Sequence, residues 1–375
     1  MHENRWEAIA SSIKGAIRRG ELYAGARIAS ETELAAQWKV SPMTVHRALA
    51  ELQREGWVVR RPRAGTLVAD RSILPVTNIG LTVTSPSDYP QAGYARGIEE
   101  GLGDGYRLVT YSTHGTAAGE ARCLERAAAE CGAVICYPTG APENTPLLNK
   151  LAANLPLVFI DCEPDGIEAD VVSTDNRGSM VAGLRHLHAL GHSRIAYFMG
   201  HMHNVSSQKD RYAGYREFML TDIGMEDPDR LVRRFSLAMP VDHYFDSIEA
   251  IVADLLDDSE PVTAIACQQD SFMAAVLEAC IHLGVSVPGE LAILSFNDVS
   301  VHTLPLGRTV HRLVQRPLDL GHMAALRVKS RLDDPGLPVQ DIRLMASLYP
   351  ATVRARSDVA KRFIESRLSR LNKPL

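Results

Sequence analysis

From residue 76 onward the chain repeats one pattern, a short apolar run rich in β-branched residues followed by a stretch with helical spacing. The runs are Val76-Thr77-Asn78-Ile79-Gly80-Leu81-Thr82-Val83, Arg107-Leu108-Val109-Thr110-Tyr111, Ala133-Val134-Ile135-Cys136-Tyr137, Leu157-Val158-Phe159-Ile160-Asp161, Ile195-Ala196-Tyr197-Phe198-Met199, Ala264-Ile265-Ala266-Cys267 and Leu291-Ala292-Ile293-Leu294-Ser295. Helical segments are expected over residues 92–102 and 119–131. Strands alternating with helices specify a parallel sheet covered on both faces, hence an α/β fold. About 280 residues of this pattern are too many for one sheet, so two lobes are expected. Ligands of open α/β sheets bind beyond the carboxyl ends of the strands, and two such lobes facing each other form a cleft.

The 375 residues leave room for two or three domains. With 46% hydrophobic and 23% charged residues, disorder and small disulfide scaffolds are excluded. No apolar run reaches the ~18 residues of a spanning helix, and the first ten residues have no apolar signal core, so a cytoplasmic protein without a membrane partner is expected. Six scattered cysteines with no C-x-x-C read as reduced core thiols. The net charge of −5 is unevenly spread: residues 1–71 hold twelve Lys and Arg against eight Asp and Glu, the remainder 28 against 37. A basic block on an acidic body suggests a head that binds a polyanion.

Within that head, Trp6, Ile9, Ala10, Ile13, Ala16 and Ile17 recur at helical spacing, and Gly20 suits a C-terminal cap. Ser30-Glu31-Thr32-Glu33 is a capping box opening a second helix that carries Leu34, Ala35 and Trp38. Ser41-Pro42 opens a third, with Val45, Ala48, Leu49 and Leu52 on one face and Met43, His46, Arg47 and Arg54 on the other. Two short helices joined by a tight turn are a helix-turn-helix whose second helix reads DNA. Strand-like Trp57-Val58-Val59 and Thr66-Leu67-Val68 flank the basic loop Arg60-Arg61-Pro62-Arg63-Ala64-Gly65, which has the character of a wing.

The stretch AGARIASETELAAQWKVSPMTVHRALAELQREGWVVRRPRAGTLVA resembles the GntR-type winged helix-turn-helix, closest in pattern to the HutC-like branch. The resemblance implies DNA contacts from Thr32, Ser41, Pro42, Met43, Thr44, His46, Arg47, Arg63 and Gly65. Thr32, Pro42 and His46 stand where many members have arginine, which leaves fewer bidentate forks to read guanine.

In the body, ADVVSTDNRGSMVAGLRHLHALGHSRIAYFMG, DRYAGYREFM, AIACQQDSFMAAVLEACIHLGVSVPGELAILSFND and YPATVRARSD resemble successive blocks of the LacI/GalR effector-binding domain. This implies a two-lobed, type I periplasmic-binding-protein-like fold with three crossings between lobes. By the same resemblance, residues 77–162 and about 292–320 form one lobe and the rest, to about 357, the other. It also points to effector contacts from Arg211, Gln269 and Asn297, with Ser85, Asp88 and Tyr89 on the loop after the first strand and Asp161 at a strand end. Gln269 and Asn297 stand where asparagine and aspartate are usual, which weakens a carboxylate grip on sugar hydroxyls. The implied effector is a sugar or another small polar metabolite.

Other features read structurally. Gly101-Leu102-Gly103-Asp104-Gly105 precedes a strand rather than opening a helix after one, so it marks a helix-ending turn and not a dinucleotide loop. Asp175, Asn176 and Gly178 read as a helix cap. His186, His188, His192, His201 and His203 lack a coupled glutamate, and no metal or cofactor is expected. No G-x-S-x-G or P-loop occurs. The expected organisation is a winged head over 1–70, a linker over 71–76, a two-lobed body over 77–357 and an amphipathic helix or tail over 358–375. The expected function is that of a homodimeric, effector-responsive transcription regulator, a repressor acting on double-stranded operator DNA. A solute-binding protein or a sugar-metabolising enzyme without a DNA role is the competing reading.

Overall fold

Two units, divided between Val76 and Thr77, make up the computed structural model. It describes residues 5–18, 21–54, 56–61, 64–69, 76–87, 89–200, 206–236, 241–296 and 309–352. Arg63, Asp88, Asn297, His201, His203, most of the linker and the tail over 358–375 lie outside the described residues.

The head is built from α1 (Arg5–Arg18), α2 (Glu31–Trp38), α3 (Pro42–Arg54) and a hairpin of β1 (Val58–Arg61) and β2 (Gly65–Val68). The capping box is formed: Ser30 accepts from the Glu33 amide while the Glu33 carboxylate takes the Ser30 amide at 2.7 Å. Lys39 closes α2 in the left-handed region, φ 51°, with its amide on the Ala35 and Ala36 carbonyls. That single residue makes the tight turn to α3. The apolar faces foreseen at helical spacing converge, with Ile9, Val45, Ala48, Leu49 and Leu52 fully buried. β1 and β2 pair antiparallel from Val58↔Val68 to Arg61↔Gly65, and Arg27 bridges to Leu67 as a third short arm.

The body holds two six-stranded sheets. In the first lobe β3 (Thr77–Val83), β4 (Tyr106–Ser112), β5 (Ala133–Cys136), β6 (Leu157–Asp161), β7 (Asp170–Thr174) and β13 (Asp341–Leu344) are ordered β13-β7-β6-β5-β3-β4, all parallel. In the second, β8 (Ile195–Gly200), β9 (Val232–Phe235), β10 (Ala264–Cys267), β11 (Ala292–Phe296), β12 (His311–Val314) and β14 (Ser347–Tyr349) are ordered β14-β12-β11-β10-β8-β9, with only β14 antiparallel. Helices α4 (Gln91–Leu102), α5 (Ala117–Glu130) and α6 (Thr145–Asn154) cover the first sheet; α7 (Asn176–Ala189), α8 (Ser206–Thr221), α9 (Val241–Leu256) and α10 (Asp270–Leu283) cover the second.

The chain crosses between lobes three times, from β7 to α7, from β12 to α11 (Pro317–Asp333) and from β13 to β14. The lobes are divided differently from the expectation. β7, up to Thr174, still belongs to the first lobe, and β11 and β12 belong to the second. Among the described residues of the stretch 292–320, only the start of α11 packs on the first lobe. The cause is pairing: β12 registers on β11 through Leu294↔His311, and the chain leaves that sheet only afterwards.

α11 is drawn to the first lobe by a stripe of small residues. Gly93, Gly97 and Gly101 recur every fourth residue on α4, and a Cβ on Gly97 would lie 2.1 Å from the Leu318 carbonyl oxygen. Gly321 answers from α11, where a Cβ would lie 2.3 Å from the Tyr94 oxygen. Gly101 therefore packs a helix pair, while Gly103 and Gly105, both at positive φ, make the expected turn into β4. Asp175 caps α7 by accepting from the Gly178 amide at 2.8 Å. All six cysteines are free thiols. Among the described residues no helix is long and apolar enough to cross a membrane.

Candidate functional site

In the head, the sequence-selected residues gather around the start of α3. Ser41 accepts from the Thr44 amide at 3.2 Å, and the two hydroxyls lie 2.9 Å apart, so this pair fixes the first turn. Met43 is 73% exposed just beyond them. His46 lies on the same face, one turn on, and its Nδ1 is 3.0 Å from Glu31 Oε1. The same oxygen accepts from Arg60 of β1 at 2.9 Å. Arg47 lies over the Trp6 ring, 4.7 Å from its centroid. Thr32 is exposed in the first turn of α2, beside Glu31. Gly65 stands at the hairpin at φ 81°, where a Cβ would come within 3.4 Å of Arg27 Nε. Glu31 and Arg27 escaped the sequence reading, which took Glu31 only as part of a capping box.

In the body, Asp161 ends β6 with φ 72° and is 5% exposed. Its Oδ1 accepts from Tyr94 Oη at 2.8 Å and from Gln315 Nε2, in the second crossing, at 2.9 Å. Burial raises its carboxyl above the ordinary range, and the Arg211 guanidinium opposes that shift. Arg211, on α8 and 5% exposed, donates Nε to Asn176 Oδ1 at 2.8 Å and Nη1 to the Gln268 carbonyl at 3.0 Å. Its guanidinium lies over the Phe296 ring, 3.9 Å from the centroid. Asn176 is in turn fixed by donating to the Thr174 carbonyl at 3.0 Å. Asn176 was read as part of a cap, and its side chain also orients Arg211.

A cavity of about 250 Å³ lies at the carboxyl ends of β3, β5 and β6. Thr84, Gly115, Tyr137, Pro138, Thr139 and Cys162 line it from the first lobe and Gln208 from the second. Burial pushes the Tyr137 hydroxyl up, with Asp161 adding to the shift and Arg211 opposing it. Thr139 donates its amide and hydroxyl to the buried Glu120 carboxylate, both at 2.7 Å, which fixes the loop after β5. Ser85 follows Thr84 and is held by its amide on Gln91 Oε1 at 3.0 Å; Tyr89 precedes α4. Gln269 is less central than expected. It is the N-cap residue of α10, and its side chain donates to Ser271 at 2.8 Å. Its neighbour Gln268 supplies the carbonyl that Arg211 uses, and also accepts from the Gly200 amide at 3.1 Å.

The two lobes are pinned together next to the cavity. Arg343, at the end of β13, reaches Glu163 Oε1 at 2.9 Å and Asp210 Oδ2 at 3.2 Å. Ser206 donates to Glu163 at 2.7 Å and Lys209 to Asp165 at 2.6 Å. The first turns of α8 thus carry both these ties and Arg211. The histidines do not form a metal centre among the described residues. His188 Nδ1 lies near the His192 carbonyl, and His186 Nε2 lies 3.0 Å from His311 Nδ1.

Comparison with known proteins matches this architecture part by part. The family described as bacterial regulatory proteins of the gntR type covers residues 6–68, and the periplasmic binding protein-like domain covers 184–350. The chain is 28% identical to an arabinose metabolism transcriptional repressor of Geobacillus stearothermophilus over 297 residues, 76% of this chain and 79% of that one. It is 30% identical to the HTH-type transcriptional regulator GalR of Escherichia coli over 172 residues, 46% of this chain and 47% of that one. Among solved structures, transcription regulator CcpA of Lactococcus lactis superposes with a TM-score of 0.62 at 19% identity, covering 74% of this chain and all of that one.

Proposed function

From a chain that carries a GntR-family DNA-binding domain at its N-terminus and a periplasmic-binding-protein-like domain of the kind found in LacI/GalR regulators, we propose that it is a sugar-responsive transcriptional repressor. The sensing half rests on buried Asp161 at the end of β6 and buried Arg211 on α8, whose charges act on each other, together with a cavity lined from both lobes. A carboxylate and the unused edge of a planar guanidinium are suited to the hydroxyls of a sugar. The pair balances its own charge, which suits a neutral sugar better than an acid. The family resemblance adds Ser85, Asp88, Tyr89, Gln269 and Asn297 as further proposed effector contacts. The relatives named for arabinose metabolism support a pentose-sized ligand.

In the head, Thr32, Ser41, Pro42, Met43, Thr44, His46 and Arg47 face the major groove, and Gly65 with Arg63 carries the wing to the backbone. Two heads in a homodimer address a pseudo-palindromic operator. The body acts by binding, not by turnover: its relatives are regulators, and Asp161 and Arg211 are each already committed to positioning bonds. The protein works in the cytoplasm, where its operator is. The test is a thermal-shift panel of neutral sugars, sugar acids and sugar phosphates against the full chain. A neutral sugar is expected to raise the melting temperature and to change operator affinity. Stabilisation by none of them, or turnover of one, overturns the assignment.

A further inference from the structure

We infer that α3 is built to read A·T base pairs, with Met43 packing on a thymine methyl and the His46 Nε2 accepting from an adenine amino group, while Glu31 acts as the positioning residue that fixes the imidazole. The inference rests on the DNA-reading assignment of α3 above and adds what α3 recognises.

A carboxylate only accepts hydrogen bonds, so at 3.0 Å from Glu31 Oε1 the proton of His46 sits on Nδ1. In the neutral imidazole the other nitrogen, Nε2, is then a lone-pair acceptor, and no described residue bonds it. His46 is half-exposed, so Nε2 meets whatever enters the groove. In the major groove an acceptor needs a base amino group, the N6 of adenine or the N4 of cytosine; guanine offers only N7 and O6, both acceptors, and repels it. Met43, three residues earlier on the same helix face, narrows the choice further. It is an exposed, flexible apolar side chain, and the apolar group in the major groove is the thymine methyl. An adenine amino group and a thymine methyl belong to the same base pair.

Among the described residues, the guanidinium groups on and beside α3 already have protein partners. Arg47 is stacked on Trp6, Arg54 holds the Glu51 carboxylate with Nε at 3.0 Å, and Arg60 is on Glu31. Glu31 therefore does two things with one oxygen: it withdraws a guanidinium from the reading face and orients the imidazole that remains there.

Operator sites are selected from a random duplex pool with the full chain at pH 8, and the core base pairs are then rebuilt with single-group deletions. Uracil for thymine removes the methyl; purine for adenine removes the amino group. Each deletion is expected to weaken wild-type binding about fivefold to tenfold, the worth of one methyl contact or one hydrogen bond. The uracil penalty vanishes in Met43→Ala and the purine penalty in His46→Ala. Glu31→Leu, which releases the ring, narrows the preference for adenine over guanine at that one position and leaves the thymine methyl preference in place. A selected core with guanine under α3, or deletion penalties that persist in both variants, overturns the inference while DNA reading stands. Failure to enrich any duplex overturns the DNA-reading assignment and this inference with it.

Discussion

Arg211 is held in place before any ligand arrives. Asn176, the Gln268 carbonyl and the face of Phe296 fix its fork, so under the proposed function a hydroxyl binds there with little loss of side-chain entropy. Arg211→Gln is expected to weaken sugar binding at least about thirtyfold by calorimetry, while sugar-free operator binding is retained. A second residue-scale effect concerns pH. His311 is buried beside His186, accepts from the Ala351 amide at 3.2 Å, and is held down to about 4 mainly by burial. Its folded form binds a proton less readily than the unfolded chain, so its neutral state stabilises the body above about pH 6.5, and that stability is lost as pH falls toward 4. The loss is bounded at about 3 kcal/mol. Denaturant titrations between pH 7 and 5 are expected to show stability falling with acid, with a shallower slope in His311→Gln. At this scale the sequence singled out Asp161 and Arg211 as candidates, but not the residues that hold them. Tyr94 and Gln315 stand 67 and 154 residues from Asp161, and no local pattern links such positions.

At the scale of elements, sequence patterns succeeded where an element obeys one rule throughout. The central strands are buried on both faces and appear as unbroken apolar runs, and the helices of the head follow their caps. The rule fails at the sheet edges. β9 contains Arg233 and Arg234, and β13 reads Asp341-Ile342-Arg343-Leu344; short edge strands with charge resemble loops. The placement of β11 and β12 in the other lobe followed the family resemblance, and their strand partners are what overturns it. The α4–α11 contact was visible as a glycine stripe and was read only at its last member. Gly97→Ala is expected to destabilise the body by about 3 kcal/mol or more, since the new methyl meets backbone that cannot move aside. Thermal unfolding of the variant measures this, and a melting temperature equal to wild type would refute close backbone packing there.

For the whole molecule, the proposed function requires one protein to couple two binding events. Arg211 and the residues that tie the lobes together share the first turns of α8, so on that proposal ligand contact and lobe contact are linked through one helix. Arg343→Gln loosens ties to Glu163 and Asp210 without touching the Asp161–Arg211 pair. It is expected to raise the sugar concentration for half-maximal effect about tenfold by biasing the body toward the open form. The most direct measurement is the affinity of the full chain for its selected operator, by fluorescence anisotropy, with and without a saturating sugar taken from the stabilisation panel. The account predicts a change of about 5–150-fold that disappears in Arg211→Gln. Operator affinity that stays the same when the body is saturated with sugar would contradict it.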